Sequence, residues 1–154
     1  MSLDDLYKET ILDHYQEPRN RGQLVDPDVA TRGHNPLCGD EVQLQVQLAD
    51  DAIRDIAFGG RGCSISQASA SMMTESVKGE PLAEVDRLMA AFKEMMVGSG
   101  STDGLDGHED LEALQGVKRF PVRVKCALLP WTALAEALEI WRRAARASLD
   151  HKES

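Results

Sequence analysis

The chain contains 154 residues, of which 42% are hydrophobic and 28% charged, and it carries a formal net charge of −9. A chain of this length buries roughly 70% of its unfolded surface, so one core can form without disulfide bonds. The acidic balance argues against nonspecific binding to nucleic acid or acidic membranes, because neutralising phosphates requires a basic face. No continuous apolar run opens the sequence, which argues against a signal peptide or membrane span. We predict a cytoplasmic protein with one domain over residues 1–147 and a flexible tail over residues 148–154.

The first part of the chain predicts a helix followed by three strands. Ser2 can cap a helix in which residues of one face recur at helical spacing: Leu3, Tyr7, Ile11 and His14. Further on, apolar residues alternate with glutamines, as in a strand with one buried face: Val42, Leu44, Val46 and Leu48. A turn over residues 49–52 leads to a partner strand over residues 53–58, and residues 30–35 supply a third strand.

The rest of the chain predicts helices. Gly59, Gly60 and Gly62 end the last strand, and a helix rich in small residues follows over residues 64–78. The next helix has an apolar face formed by Val85, Leu88, Phe92 and Met96. Residues 98–104 form a flexible, solvated connector, and a short helix over residues 110–115 ends in a left-handed cap at Gly116.

The last predicted helix has an apolar face formed by Trp131, Leu134, Leu138 and Trp141. Pro130 marks a kink in it or a fresh helix start, because proline removes a helix hydrogen bond. Strands followed by helices indicate an α+β fold, with a small antiparallel three-stranded sheet and helices packed on one face.

Three cysteines lie in local sequences that stabilise a thiolate. Cys38 precedes the predicted strand in a turn, with Asp40 two residues after it. Cys63 follows three glycines and opens a helix, whose first N–H groups stabilise an anion. Cys126 directly follows a lysine. Three thiolates and a carboxylate form a four-ligand set for a thiophilic metal. The residues alone leave open whether the cysteines converge on a metal or are small buried side chains.

Three motifs occur in order: Asn35-Pro36-Leu37-Cys38-Gly39-Asp40, Gly62-Cys63-Ser64-Ile65-Ser66-Gln67-Ala68-Ser69 and Arg123-Val124-Lys125-Cys126-Ala127. They resemble the signatures of the IscU/NifU N-terminal family of iron–sulfur cluster assembly proteins, and the resemblance extends to about Trp141. Lys125 stands where the IscU branch usually has a histidine, and the stretch between the second and third cysteines is long. Both features resemble the SufU branch of the family.

The resemblance implies a zinc site formed by Cys38, Asp40, Cys63 and Cys126, and a SufS-type cysteine desulfurase as partner. It implies a sulfurtransferase-like sulfur relay rather than a stand-alone enzyme. Docking on the desulfurase is expected to free one thiolate from zinc, and this thiolate then attacks the partner's persulfide. Cys38 is the expected acceptor, and Cys126 is the other candidate.

Arg123 and Lys125 either steady the resulting anion or are solvated surface charges. The resemblance also implies a monomer that passes its product to downstream assembly proteins or apo-proteins.

Two other functions stay open. In the first, the same four ligands serve as a scaffold on which a transient [2Fe–2S] cluster is assembled and passed on. In the second, the chain is a binding module with a structural zinc, so removing the metal unfolds it and no cysteine accepts sulfur. We expect neither zinc nor cysteine hydrolase chemistry, because a thiolate-rich zinc activates water poorly and no thiol has an evident histidine and acid pair. His34, four residues before Cys38, is either a spare ligand or a bystander, and a loop histidine is more often a bystander.

Overall fold

The computed structural model describes the backbone of residues 3–36 and 39–153 and the side chains of residues 8–36 and 39–148. The elements, in chain order, are α1 (Leu3–Gln16), β1 (Val29–Asn35), β2 (Asp40–Ala49), β3 (Ala52–Arg61), α2 (Ser64–Val77), α3 (Leu82–Val97), a 3₁₀ turn (Asp103–Leu105), α4 (Glu109–Ala113), a second 3₁₀ segment (Leu114–Arg119) and α5 (Pro121–Glu153). The predicted cap Ser2 and the side chains of Leu3 and Tyr7 lie outside these described parts, as does Cys38.

The sheet is antiparallel in the order β1-β2-β3. Its centre is β2, in which every predicted apolar position is buried: Val42, Leu44, Val46 and Leu48. Asp50 and Asp51 both have positive φ in the tight turn to β3, as the predicted hairpin requires. The alternation of glutamines and apolar residues thus produces a sheet with one buried face, and the α+β prediction is confirmed.

The helices cover that buried face. The long helix α5 lies against β1 so closely that a Cβ on Gly33 would stand 3.0 Å from Leu129 Cδ1. The predicted apolar face of α3 is buried, and its Phe92 stacks on Trp131 of α5 with ring centroids 4.5 Å apart. Sheet and helices therefore share one hydrophobic core.

Two predictions about glycines are wrong. Strand β3 does not end at Gly59, because Gly59 and Gly60 still pair with β2 and the strand continues to Arg61. Gly60 has φ +113°, and a Cβ there would lie 2.1 Å from the carbonyl oxygen of Glu41, so glycine permits close pairing instead of breaking it. Gly116 lies inside the second 3₁₀ segment and is no left-handed cap.

The predicted connector over residues 98–104 contains only exposed and half-buried residues, and the chain enters the core at Leu105, directly after it. One further boundary differs from the predictions. The last helix begins at Pro121, ten residues before the predicted fresh start at Trp131, and it continues through Pro130 to Glu153. Pro130 therefore removes one hydrogen bond inside a helix that tertiary packing holds together. Helix α5 includes part of the predicted tail, and the division into domain and tail stays a prediction.

Candidate metal centre

Three predicted ligands converge at one end of the sheet. Asp40 begins β2, Cys63 is the N-cap of α2, and Cys126 lies in the second turn of α5. One ligand atom from each lies within 4.8 Å of the other two. Cys38 lies outside the described residues; in the sequence it stands between Asn35, the last residue of β1, and Asp40, the first residue of β2. Gly39, directly before Asp40, has φ +69°, a conformation that favours glycine.

The side chain of Asp40 is completely buried and has no basic partner among the described residues. Its Oδ1 accepts the backbone N–H of Cys63 at 2.8 Å, and its Oδ2 lies 3.5 Å from Cys63 Sγ. A buried carboxylate is normally paired with a base or bound to a metal, because desolvating an unpaired charge is costly. The donor set therefore calls for a cation at this point.

The spacing of the donor atoms suits zinc. With Zn–S bonds of about 2.3 Å and Zn–O bonds of about 2.0 Å, tetrahedral geometry separates a sulfur and an oxygen ligand by about 3.5 Å. The separation between Cys63 Sγ and Asp40 Oδ2 has this value. Cys63 forms no side-chain hydrogen bond that caps α2, so its sulfur is not committed to the helix end.

The surroundings of the site are polar and tightly packed. Ser66 Oγ lies 4.0 Å from Cys63 Sγ, and Asn35 Nδ2 lies 4.0 Å from Cys126 Sγ. Gly62 permits the close approach of Asp40, because a Cβ on Gly62 would stand 2.5 Å from Asp40 Oδ1. Asn35 and Ser66 lie within the cysteine motifs, but nothing in their spacing predicts these contacts with the sulfur atoms.

Arg123 and Lys125 are exposed on the first turns of α5, on the same helix as Cys126. Lys125 makes no hydrogen bond or ion pair with the described residues, and its role and that of Arg123 stay predictions. His34 is exposed on β1. Among the described residues, the candidate ligands that meet are thus the three at the ends of β2, α2 and α5.

A second cluster of potential ligands is already satisfied by hydrogen bonds. His14 Nε2 donates to Asp110 Oδ2 at 2.6 Å, and Glu75 also lies nearby. Ser71 Oγ accepts the N–H of Arg19 at 2.8 Å and is hydrogen-bonded to His14 Nδ1 at 2.7 Å. Ser71 and His14 are both fully buried, so this serine–histidine–aspartate chain cannot meet a substrate and is structural.

Comparison with known proteins agrees with this geometry. The model of the NifU-like N-terminal domain family matches residues 6–146. The zinc-dependent sulfurtransferase SufU of Bacillus subtilis is 46% identical over 137 residues, which cover 89% of this chain and 92% of the relative. The iron–sulfur cluster assembly scaffold protein IscU of Streptococcus pyogenes is 43% identical over 137 residues, covering 89% and 85%.

A solved structure has the same fold. A candidate iron–sulfur cluster assembly scaffold protein for the SUF system, from Fervidobacterium islandicum, superposes with a TM-score of 0.77 at 36% identity. The match covers 84% of this chain and 94% of that one. No helix in the described part of the chain has an apolar run long enough to cross a membrane.

Proposed function

Because the chain belongs to the NifU-like N-terminal domain family, we propose that it is a zinc-dependent sulfur acceptor in iron–sulfur cluster assembly. It takes persulfide sulfur from a cysteine desulfurase of the SufS type and passes it to downstream assembly proteins or apo-proteins. The observation that carries this proposal is the buried Asp40 carboxylate, which touches Cys63 and has no basic partner among the described residues.

Cys38, Asp40, Cys63 and Cys126 would hold the zinc. When bound, zinc keeps thiols in the thiolate form and compensates the buried charge of Asp40. Three thiolates and one carboxylate form a closed, electron-rich set, which is suited to storing a nucleophilic thiolate and unsuited to activating water.

Burial supports Cys38 as the acceptor. Cys126 is fully buried, so its sulfur is not placed to meet a persulfide on another protein. Cys63 is half-buried, and its sulfur lies 3.5 Å from Asp40 Oδ2. Cys38 precedes Gly39, whose positive φ turns the chain between two strands.

The transfer itself requires no external oxidant. The Cys38 thiolate attacks the terminal sulfur of the donor's persulfide, the donor's S–S bond breaks, and the donor's cysteine leaves as a thiolate. Cys38 then carries the persulfide. Exposed Arg123 and Lys125 supply positive charge on the helix that bears Cys126, and in this proposal they steady the persulfide anion.

Alanine release from cysteine by the desulfurase tests this function, with reductant present and iron absent. We expect strong stimulation by the zinc-loaded protein, little by the metal-free protein and none by Cys38→Ala. His34→Ala changes an exposed residue four positions before Cys38 and should stimulate like the wild type. Stimulation that requires iron would instead favour a scaffold for a [2Fe–2S] cluster. A protein that unfolds when zinc is removed and accepts no sulfur when zinc is bound would favour a structural zinc module.

A further inference from the structure

A cavity of about 420 Å³ opens directly beside the candidate metal centre. Four side chains that carry hydrogen-bond donors line it, and we call it the donor pocket: Tyr15, Arg21, Arg61 and Gln67. Pro18 completes one wall, and Gly62 connects the pocket to Cys63. No acidic side chain lines it, although the chain as a whole carries a net charge of −9. The donor pocket is thus locally cationic.

Gln67 provides an observation that points to a ligand. Its side chain is 5% exposed, and its Oε1 accepts from Arg21 Nη1 at 2.6 Å. A guanidinium can only donate, so this hydrogen bond fixes which end of the amide faces Arg21. The other end, Nε2, has no hydrogen-bond partner, and it is the sole buried side-chain nitrogen or oxygen of this kind among the described residues.

An unmatched buried amide costs about 1–3 kcal/mol, so natural proteins rarely keep one without a reason. Gln67 lines the cavity, and its terminal torsion is soft, so a small rotation that keeps the hydrogen bond to Arg21 can present Nε2 to an acceptor in the cavity. A ligand that supplies an acceptor oxygen would satisfy this group.

Arg21 is held ready for an anion. Its Nη1 and Nη2 donate to Gln67 Oε1 and to the carbonyl oxygen of Gly60 at 2.6 and 2.7 Å, and its guanidinium lies 5.5 Å from the centre of the Phe58 ring. A guanidinium has five N–H groups, so several donors stay unused. Because the side chain is already fixed, little conformational entropy is lost when a planar oxyanion binds it.

Arg61 and Tyr15 add donors that are not committed elsewhere. Neither side chain forms a hydrogen bond or ion pair with the described residues, and Arg61 lies two positions before Cys63. The Tyr15 ring and Pro18 give the pocket apolar walls against which the methylene groups of a side chain can pack.

We propose that the donor pocket receives an acidic side chain, aspartate or glutamate, of the protein that delivers sulfur. This inference rests on the proposed function and names the contact that aligns the donor with the metal centre. A carboxylate matches the planar fork of Arg21, gives Gln67 its missing acceptor and pairs with Arg61. The location beside Cys63 puts this contact next to the candidate metal centre.

Binding of the desulfurase to charge-neutral variants tests the proposal. We expect Arg61→Gln to weaken binding about fivefold and Arg21→Gln about tenfold, since each removes a charge-assisted contact. Arg61→Gln is the cleaner variant, because its side chain has no partner within the described part of the protein, and its zinc content and melting temperature should be unchanged. Arg54→Gln is the matched control: Arg54 is exposed at the opposite end of the sheet, paired with Asp50 at 2.9 Å, and its loss should leave affinity unchanged.

Equal affinities for Arg21→Gln, Arg61→Gln and Arg54→Gln would overturn the donor pocket. Alanine release measured in the same samples separates the two claims, because stimulation that survives in all variants keeps the proposed function and removes only the pocket contact. Absence of both binding and stimulation in the wild type would refute the partner and the pocket together.

A second experiment adds sodium acetate and, as the control, sodium chloride at equal ionic strength. The NMR signals of the Gln67 side-chain amide report whether acetate binds. Shifts with acetate in the wild type and none in Arg21→Gln are expected. Acetate binding without any change of desulfurase affinity in the variants would mean that the pocket takes a free small carboxylate, which contradicts the proposal.

Discussion

Asp40 is the residue on which the candidate metal centre depends most. It brings a negative charge into a fully buried position and receives one backbone N–H and one thiol as partners among the described residues. This arrangement is favourable with a cation beside it and unfavourable without one. Removing the charge should therefore change the free energy of unfolding in opposite directions in the zinc-loaded and the metal-free protein.

We expect Asp40→Asn to destabilise the zinc-loaded protein and to stabilise the metal-free protein, by about 1–3 kcal/mol in each direction. The asparagine oxygen can still accept the N–H of Cys63, so the variant isolates the charge. Melting curves with zinc and with a chelator measure both effects.

Asp28→Asn is the matched control for this charge change. Asp28 also accepts a backbone N–H at 2.8 Å, from Leu48, but it is exposed. The change in stability caused by Asp28→Asn should be the same with zinc and without it. If Asp40→Asn lowered stability in both states by the same amount, the carboxylate would be an ordinary hydrogen-bond acceptor and no ligand.

Gly62 tests the packing around the same carboxylate. An alanine there would place its Cβ 2.5 Å from Asp40 Oδ1 and 2.7 Å from Ser66 Oγ, so Asp40 would have to move away from the ligand atoms. We expect Gly62→Ala to lower the zinc content of the purified protein well below that of the wild type. Metal analysis of folded protein measures this.

Gly59→Ala is the control for replacing a glycine in this region. Gly59 lies near the end of β3, three residues before Gly62. The nearest atom to a Cβ there is Gln43 Oε1 at 3.8 Å, an ordinary contact. Its zinc content should stay at the wild-type level. A full zinc complement in Gly62→Ala would show that the close packing of Asp40 against Gly62 does not matter for metal binding.

At the scale of elements, helix α2 organises the site and much of the core. Its buried face mixes apolar side chains with serines, and the hydroxyl groups of Ser69 and Ser71 find partners on neighbouring elements. Ser69 Oγ donates to the carbonyl oxygen of Ala127 at 2.6 Å and accepts from Trp131 Nε1 at 3.2 Å. Ser71 binds His14 of α1, as described above. Hydrogen bonds therefore fix α1 and α5 against the helix that begins at Cys63.

His14 should matter for stability and not for metal binding. His14→Ala removes two hydrogen bonds from a fully buried position and leaves a cavity, so we expect a loss of about 2–4 kcal/mol of unfolding free energy. Denaturant unfolding measures this. His34→Ala, on an exposed histidine, should stay within about 0.5 kcal/mol of the wild type. A folded His14→Ala protein that had lost its zinc would contradict the structural role.

How far the elements could be predicted depends on the signal that each one carries. The alternation in β2 and the apolar face of α3 are statements of periodicity, and both were confirmed. Gly60 was misread as a strand breaker because the sequence does not show how closely Glu41 approaches it. Of the two alternatives for Pro130, a kink or a fresh helix start, the structure excludes the fresh start, because packing of α5 against the sheet outweighs one missing hydrogen bond.

The cysteine motifs of the candidate site were predictable from the sequence, and the contacts around them were not. The motifs around the three cysteines predict the ligand set, and the structure brings three members of it, Asp40, Cys63 and Cys126, within 4.8 Å of one another. The partners that support them come from distant positions, and periodicity carries no information about such contacts. Gln67 and Arg21 are 46 residues apart, and the unmatched amide that they create becomes visible only in three dimensions.

At the scale of the whole molecule, the fold brings the ends of β2, α2 and α5 together beside a cationic pocket. The sheet and the helices share a single core, and Gly39 has a positive φ directly before β2. A core that gathers two cysteines and a buried carboxylate at one end of the sheet suits a protein that receives a sulfur atom from a partner and gives it to the next.

The most direct test follows the sulfur atom itself. The desulfurase is loaded with isotopically labelled cysteine for a single turnover, mixed with the zinc-loaded protein without iron, and the peptides are analysed by mass spectrometry under conditions that preserve persulfides. We predict one labelled sulfur on Cys38, none on Cys63 or Cys126, and none on the Cys38→Ala protein. Label that stays on the desulfurase, or that appears on Cys126 instead, would contradict the account.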